Sequence, residues 1–255
     1  MDLSIVIVNF NTEKLLAQCL DSIYASAPDL KLEIIVVDNA SSGFQAFPKV
    51  YPGIKVIRNR ANLGFARANN QGLNEACGDF VLFLNPDTEV TKGSLEKMIG
   101  YIRNNPGIGI LGPKLVYPDG SLQLSCRRFY TLRAIILSRI PVFKLVFGSK
   151  ARDEHLMADW GHDRVKDVDW VLGACILASR SELLELGGFD QAYRLYFEDV
   201  DLCYRMKNKG LRIIYYPDSV IIHHHRRESA KLFSRKAFPH IAGALRFFRK
   251  YGWSF

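Results

Sequence analysis

No G-x-G-x-x-G and no G-x-x-x-x-G-K-[ST] follows an apolar run in this 255-residue chain, which argues against dinucleotide-binding and P-loop chemistry. Cysteine is scarce. Cys19, Cys77, Cys126, Cys175 and Cys203 lie far apart without a C-x-x-C pair, so neither a zinc module nor a disulfide framework is suggested, and a reducing, cytosolic setting fits. Charges interrupt every apolar stretch before it reaches the ~20 residues that cross a bilayer. The apolar run at 3–8 has no basic leader and no cleavage site, so the chain is expected to be made and kept inside the cell. Internal repeats and low-complexity linkers are also missing.

What is present suits a sizeable folded core: 48% of the residues are hydrophobic. The 34 Lys and Arg exceed the 26 Asp and Glu, giving a formal charge of +8 that matches anionic partners such as phosphorylated substrates, lipid headgroups or nucleic acid. Apolar runs at 3–8, 32–37, 54–57, 80–84 and 108–111 read as strands. Between them Leu15, Leu16, Cys19, Leu20, Ile23 and Tyr24 mark one helix face, and 65–77 and 92–104 carry further helical patterns. Near-continuous apolar strands alternating with helices predict an α/β fold, a mostly parallel central sheet covered on both faces. Beyond an irregular middle, a strand is expected at 171–178, a helix at 198–209, strands at 211–215 and 219–222, and a basic aromatic helix at 230–250.

Ligands of open parallel sheets bind beyond the carboxyl ends of the strands. Three of these ends are polar: Asn9-Phe10-Asn11, Asp38-Asn39-Ala40-Ser41-Ser42 and Asn85-Pro86-Asp87. Any one of them could be a simple turn, but together they suggest a shared pocket. With no phosphate loop, a pyrophosphate would need another counter-charge, and Mg²⁺ or Mn²⁺ held by a carboxylate such as Asp87 is the usual alternative.

The segments Ser4-Ile5-Val6-Ile7-Val8-Asn9-Phe10-Asn11, Val36-Val37-Asp38-Asn39-Ala40-Ser41-Ser42, Asn62-Leu63-Gly64-Phe65-Ala66 and Asn85-Pro86-Asp87 resemble glycosyltransferase family 2, in its bacterial rhamnosyltransferase-like branch. The resemblance continues through Trp170-Val171-Leu172-Gly173-Ala174, Gly187-Gly188-Phe189-Asp190 and Tyr196-Phe197-Glu198-Asp199-Val200-Asp201-Leu202-Cys203, covering roughly 3–229. It implies a single Rossmann-like GT-A domain over 1–229, with a nucleotide-sugar half at 1–120, an acceptor and catalytic half at 121–229, and the basic helix appended at 230–255. It also implies inverting transfer of a sugar, in the branch rhamnose, from a UDP- or dTDP-linked donor to a saccharide or lipid-linked saccharide hydroxyl in cell-surface polysaccharide synthesis. Asp38 would sit near the donor base. Asp87 would be the surviving metal ligand of an Asp-x-Asp motif whose first position is Asn85, a residue suited to orienting the donor.

Glu198, Asp199 and Asp201 fall in what should be the first turn of a helix, where acidic groups are favoured by the macrodipole alone. The resemblance makes Asp199 the base that accepts the acceptor's hydroxyl proton, with Glu198 and Asp201 orienting it or holding substrate. The resemblance implies that a histidine of the run His223-His224-His225 can complete the metal site or touch the diphosphate. Alternation places His224 opposite the other two, and the register to Ser229 favours His224 as the ligand. Arg226 and Arg227 could meet the diphosphate. Asn62 and Arg67 flank a helix start and are donor-site candidates with Asn9 and Asn11, while Gly64 reads as structural.

Two basic, apolar segments, 126–150 and 230–250, could contact a membrane surface; the interfacial reading is favoured for the first and a core-packing helix with a solvated basic face for the second. The expected location is cytoplasmic, peripheral to the inner face of the membrane. Nucleic-acid binding is not expected, because the basic residues lack an aromatic stacking platform. A homodimer through the C-terminal helix stays open. The alternatives are a sugar-phosphate nucleotidyltransferase, which should carry a Gly-rich basic loop after its first strand, and a degenerate nucleotide-sugar- or membrane-binding module without catalysis.

Overall fold

The computed structural model describes residues 1–26, 30–44, 50–51, 53–129, 153–224 and 237–252. Most of segment 126–150, the start of segment 230–250 and Arg226 therefore lie outside the described residues.

The chain order is β1 (Leu3–Asn9), α1 (Glu13–Ser26), β2 (Leu32–Asp38), β3 (Lys55–Arg58), α2 (Phe65–Glu75), β4 (Phe80–Leu84), β5 (Thr88–Val90), α3 (Ser94–Asn104) and β6 (Ile108–Val116). Then follow β7 (Leu122–Gln123), β8 (Cys126–Arg127), β9 (Lys166–Asp167), β10 (Trp170–Val171), β11 (Cys175–Ser179), α4 (Arg180–Glu185), α5 (Glu198–Asn208), β12 (Arg212–His223) and α6 (Ala237–Tyr251). One sheet runs β3-β2-β1-β4-β11-β6-β12-β5. Strands β3, β2, β1 and β4 are mutually parallel, as are β6 and β12, while β11 lies antiparallel between β4 and β6 and β5 is antiparallel to β12.

Alternation along each strand divides the core into two layers. Leu3, Ile5 and Ile7 of β1 and Leu82 and Leu84 of β4 pack with Leu16, Cys19 and Leu20 of α1 and Leu95, Met98 and Ile102 of α3. Val6, Val81 and Phe83 face the other way, onto α2, α4, α5 and Phe247 of α6. Tyr24, counted in the apolar face of α1, is instead exposed and stacks on Tyr51.

Three expected elements differ. The run 171–178 breaks into β10 and β11, because Leu172-Gly173-Ala174 leaves the sheet to form part of the site. The two strands at 211–215 and 219–222 are one strand, β12, whose register against β6 slips between Tyr216 and Val220. Pro217 at the slip has no N–H for a ladder bond, which a bulge accommodates. The strand at 108–111 continues to Val116.

Candidate active site

Strands β1, β2 and β4 are neighbours, so the three polar strand ends meet at one edge of the sheet. Asn9 stands in register with Asp38. Its amide donates to Asp38 Oδ1 (3.1 Å) and Ser41 Oγ (3.0 Å), and its carbonyl oxygen accepts from Thr12 Oγ1 (2.8 Å). Asn9 is fully buried, so it shapes the loop instead of facing a ligand. Asn11, which is exposed, braces the same loop, its N–H donating to Ser41 Oγ (2.8 Å) and its Oδ1 accepting from Ser42 N (3.0 Å). Asn39, not singled out from the sequence, is the second hub. Its Nδ2 donates to Asn62 Oδ1 (2.9 Å) and its Oδ1 accepts from Leu63 N (2.9 Å) and Asn59 Nδ2 (3.1 Å). Asn62 is thereby occupied in the turn before α2, where it also accepts from Gly64 N. Gly64 has φ +87°, and a Cβ there would lie 2.8 Å from Arg194 O, so both backbone and space demand glycine. Arg67 is exposed and reaches Gln191 (3.2 Å).

The turn from β4 to β5 carries Asn85 and Asp87, both partly exposed. Asn85 N donates to Ala174 O (2.9 Å), and Asn85 O accepts from Thr88 Oγ1 (2.7 Å), which holds the turn from both sides. The histidine beside Asp87 is His223, whose Nε2 lies 3.4 Å from Asp87 Oδ1. The expected ligand, His224, points the other way and pairs with Glu89 (2.6 Å), while its backbone N–H binds Asp87 O (2.8 Å). Strand β12 runs through His223, so alternation sets Ile221 and His223 inward and sends His224 outward. His223 Nδ1 lies 2.7 Å from Gln123 Oε1 on β7. With the proton on Nδ1 this contact is a hydrogen bond to Gln123, and Nε2 is then free to face Asp87 in the orientation that a metal-ligating histidine needs. Among the described residues no group of three or more His, Cys, Asp or Glu side chains converges on one point. One carboxylate and one imidazole still fit a divalent cation that takes its remaining ligands from substrate phosphates and water.

Gln123 also lines a cavity of about 530 Å³ whose wall includes Glu198 and Asp199 at the start of α5. Asp199 Oδ2 accepts from Gly173 N (2.9 Å), and Oδ1 accepts from Val200 N (2.9 Å). The single loop 172–174 thus ties Asp199 through Gly173 and Asn85 through Ala174. Burial raises the Asp199 carboxyl above the usual range, opposed by these N–H groups and by Arg127. Glu198 is 6% exposed, and its Oε2 is buried without a hydrogen-bond partner. Burial, then the charge of Asp199, push it up to about 8. Both Asp199 oxygens accept an N–H bond while Glu198 Oε2 accepts none, so the geometry favours a proton on Glu198 and the charge on Asp199. Tyr196 and Phe197 just before α5 adopt φ +68° and +71°, a conformation costly for large side chains that must be held from outside.

Asp201 is not at the cavity, contrary to expectation. It is fully enclosed and accepts from Arg205 Nε (2.7 Å), Lys250 Nζ (2.7 Å) and Tyr251 Oη (2.8 Å). The i, i+4 spacing to Arg205 was the sequence signal for this structural role. Gln123, Arg127, His155 and His240 line the cavity without having been picked out as site residues; they come from separate elements with no shared motif.

The family model for glycosyl transferase family 2 matches residues 4–163. The chain is 30% identical over 216 residues to an N-acetylglucosaminyl-diphospho-decaprenol L-rhamnosyltransferase of Mycobacterium tuberculosis, covering 78% of this chain and 68% of that protein. It is 28% identical over 255 residues to rhamnosyltransferase WbbL of Escherichia coli, covering 95% and 91%. Among solved structures it resembles GalNAc-T7 with UDP, GalNAc and Mn²⁺ (TM-score 0.73, 18% identity) over 97% of this chain and 48% of that one. It also resembles the Pyrobaculum calidifontis mannosyltransferase PcManGT in complex with GDP-Man and Mn²⁺ (TM-score 0.60, 20% identity) over 96% and 64%. The chain spans about half the length of the first of these structures and just under two thirds of the second. Matching fold, ordered strand-end motifs and the extent of the family match agree: the chain belongs to glycosyl transferase family 2 and has the GT-A fold.

Proposed function

We propose that the chain transfers an L-rhamnosyl group, with inversion, from a dTDP-linked donor to a hydroxyl of a lipid-linked saccharide, an N-acetylglucosaminyl diphosphate lipid, in cell-surface polysaccharide synthesis. The observation that carries this reading is the Asp199 carboxylate on the cavity wall, tied through loop 172–174 to the turn that bears Asp87. An acceptor hydroxyl in the cavity loses its proton to Asp199 as its oxygen bonds to the anomeric carbon. The bond from that carbon to the diphosphate breaks, and the nucleotide diphosphate departs from the opposite face. A carboxyl raised above its ordinary range is a better proton acceptor near neutral pH, while Glu198 keeps a proton and spares Asp199 a second negative charge.

Asp38 and the Asn39 network shape the nucleotide pocket in the donor half, 1–120, and the acceptor half, 121–229, supplies the base. Asp87 and His223 would hold Mg²⁺ or Mn²⁺, which when bound neutralises charge on the departing diphosphate. Arg226, three residues after His223 in the sequence, is proposed for the diphosphate. Among the described residues no helix is long and apolar enough to cross a membrane. The outer face of α6, with Ile241 and Leu245 exposed beside Arg246 and Arg249, is the surface offered to anionic lipid, as a lipid-linked acceptor requires.

The test is calorimetric binding of dTDP, UDP and GDP with Mn²⁺ and then EDTA, followed by mass analysis of the product from dTDP-L-rhamnose and a short-chain N-acetylglucosaminyl diphosphate lipid. Metal-dependent binding of dTDP and a product one deoxyhexose heavier support the reading. Metal-dependent binding of UDP alone would transfer it to a UDP-linked donor, and binding of none would overturn it.

A further inference from the structure

Helix α6 lies beyond the residues that the family model matches, yet it is built into the site. Lys250 Nζ bridges Asp190 (2.7 Å) and Asp201 (2.7 Å), and Tyr251 Oη donates to Asp201 (2.8 Å), so the end of α6 is clamped to α5 two residues past Asp199. Phe247 and Phe248 are buried. At Gly243 a Cβ would lie 3.0 Å from Tyr196 O and from the Phe197 ring, so α6 rides directly on the two residues with left-handed backbone that precede α5. Near its other end, His240 enters the cavity wall, its ring centroid 5.5 Å from Tyr196 and 5.2 Å from Phe197.

The cavity has the lining of a carbohydrate subsite. Tyr117, His155, Tyr196 and His240 contribute partly exposed rings from four separate segments of the chain, with Leu122, Leu156 and Asp199 also in the wall. Its volume of about 530 Å³ is in the range of small-ligand sites. Ring faces carry negative charge and attract the positive C–H edges of a sugar ring, whose hydroxyls remain free to reach Asp199 and Glu198.

Resting on the proposed transferase activity, we infer that α6 completes the acceptor subsite, with His240 and Tyr196 gripping the pyranose ring of the glycosyl diphosphate acceptor. His240 is a specificity-determining residue, and the Lys250–Asp201 clamp holds it in place. The helix thereby presents His240 to the acceptor sugar and its exposed face, with Ile241 and Leu245, to the lipid surface from which that acceptor comes.

The test compares His240→Ala and His240→Phe with wild type, using dTDP-L-rhamnose and an N-acetylglucosaminyl diphosphate carrying a short alkyl chain. His240→Ala should raise the acceptor KM by up to about tenfold, the scale of one lost aromatic contact. Its donor KM and its calorimetric affinity for dTDP with Mn²⁺ should not change, and His240→Phe should restore the acceptor KM to within about threefold of wild type. An unchanged acceptor KM in His240→Ala would overturn the inference. So would a parallel loss of dTDP binding in both variants, which would make His240 a purely structural residue. Wild-type protein that binds dTDP but transfers to no glycosyl diphosphate lipid would refute the proposed activity, and the inference with it.

Discussion

Replacing Glu198 by Gln isolates the proton that the acidic pair holds. Glu198 is 6% exposed with Oε2 unpartnered, while both oxygens of Asp199 accept backbone N–H bonds. Burial and then the neighbouring charge move Glu198 from 4.5 to about 8. A raised carboxyl means that the folded protein holds a proton that the unfolded chain releases once pH exceeds 4.5. Stability contributed this way is complete below that pH, falls as pH rises through the window, and levels off above about 8. The slope for one proton is at most about 1.4 kcal/mol per pH unit. Glu198→Gln keeps a neutral group of the same size and removes this slope, so its stability relative to wild type should increase steadily from pH 5 to pH 8. Urea denaturation of both proteins at each pH measures the difference. Arg127, His155 and His240 of the cavity are common to both proteins and their contributions largely cancel in the comparison, whereas Asp199 interacts directly with Glu198, so the difference reports the acidic pair as a unit. A difference that stays flat across this range would refute the assignment of the proton to Glu198.

Asp199→Asn should lower kcat by roughly 10²–10⁴, the usual range for a general base, with dTDP affinity retained; near-wild-type turnover would exclude Asp199 as the base. His223→Ala should weaken metal-dependent diphosphate binding about as much as Asp87→Ala, whereas His224→Ala should leave it near wild type. Calorimetry with Mn²⁺ on the three variants separates the two histidines, and the reverse ranking would restore His224 to the site. Asp201→Asn removes the carboxylate that Lys250 and Arg205 share, leaving Lys250 with Asp190 and Arg205 with two backbone carbonyls, and should cost up to roughly 3 kcal/mol, seen as a lowered Tm. A Tm within a degree of wild type would show that the clamp adds nothing to stability.

Much of the molecule is legible in the sequence because its signals are local. Apolar runs of strand length, separated by helical periodicity, specify the first half of the sheet, and the polar residues at the ends of β1, β2 and β4 mark the edge where the site lies. The acidic turn of α5 is equally visible, since Glu198, Asp199 and Asp201 are consecutive or nearly so. Their division of labour is not. One turn of helix sends Asp199 to the cavity and Asp201 into the clamp with Lys250 and Tyr251, which are about fifty residues away in sequence. The same limit applies to His223 and His224. Alternation shows that adjacent histidines face opposite ways, but only the pairing of β12 with β5 and the reach of Gln123 decide which of them meets Asp87. Likewise no motif joins Gln123, Arg127, His155 and His240. They share a cavity because a mixed sheet and a C-terminal helix bring distant segments together, and local propensity does not encode that closure.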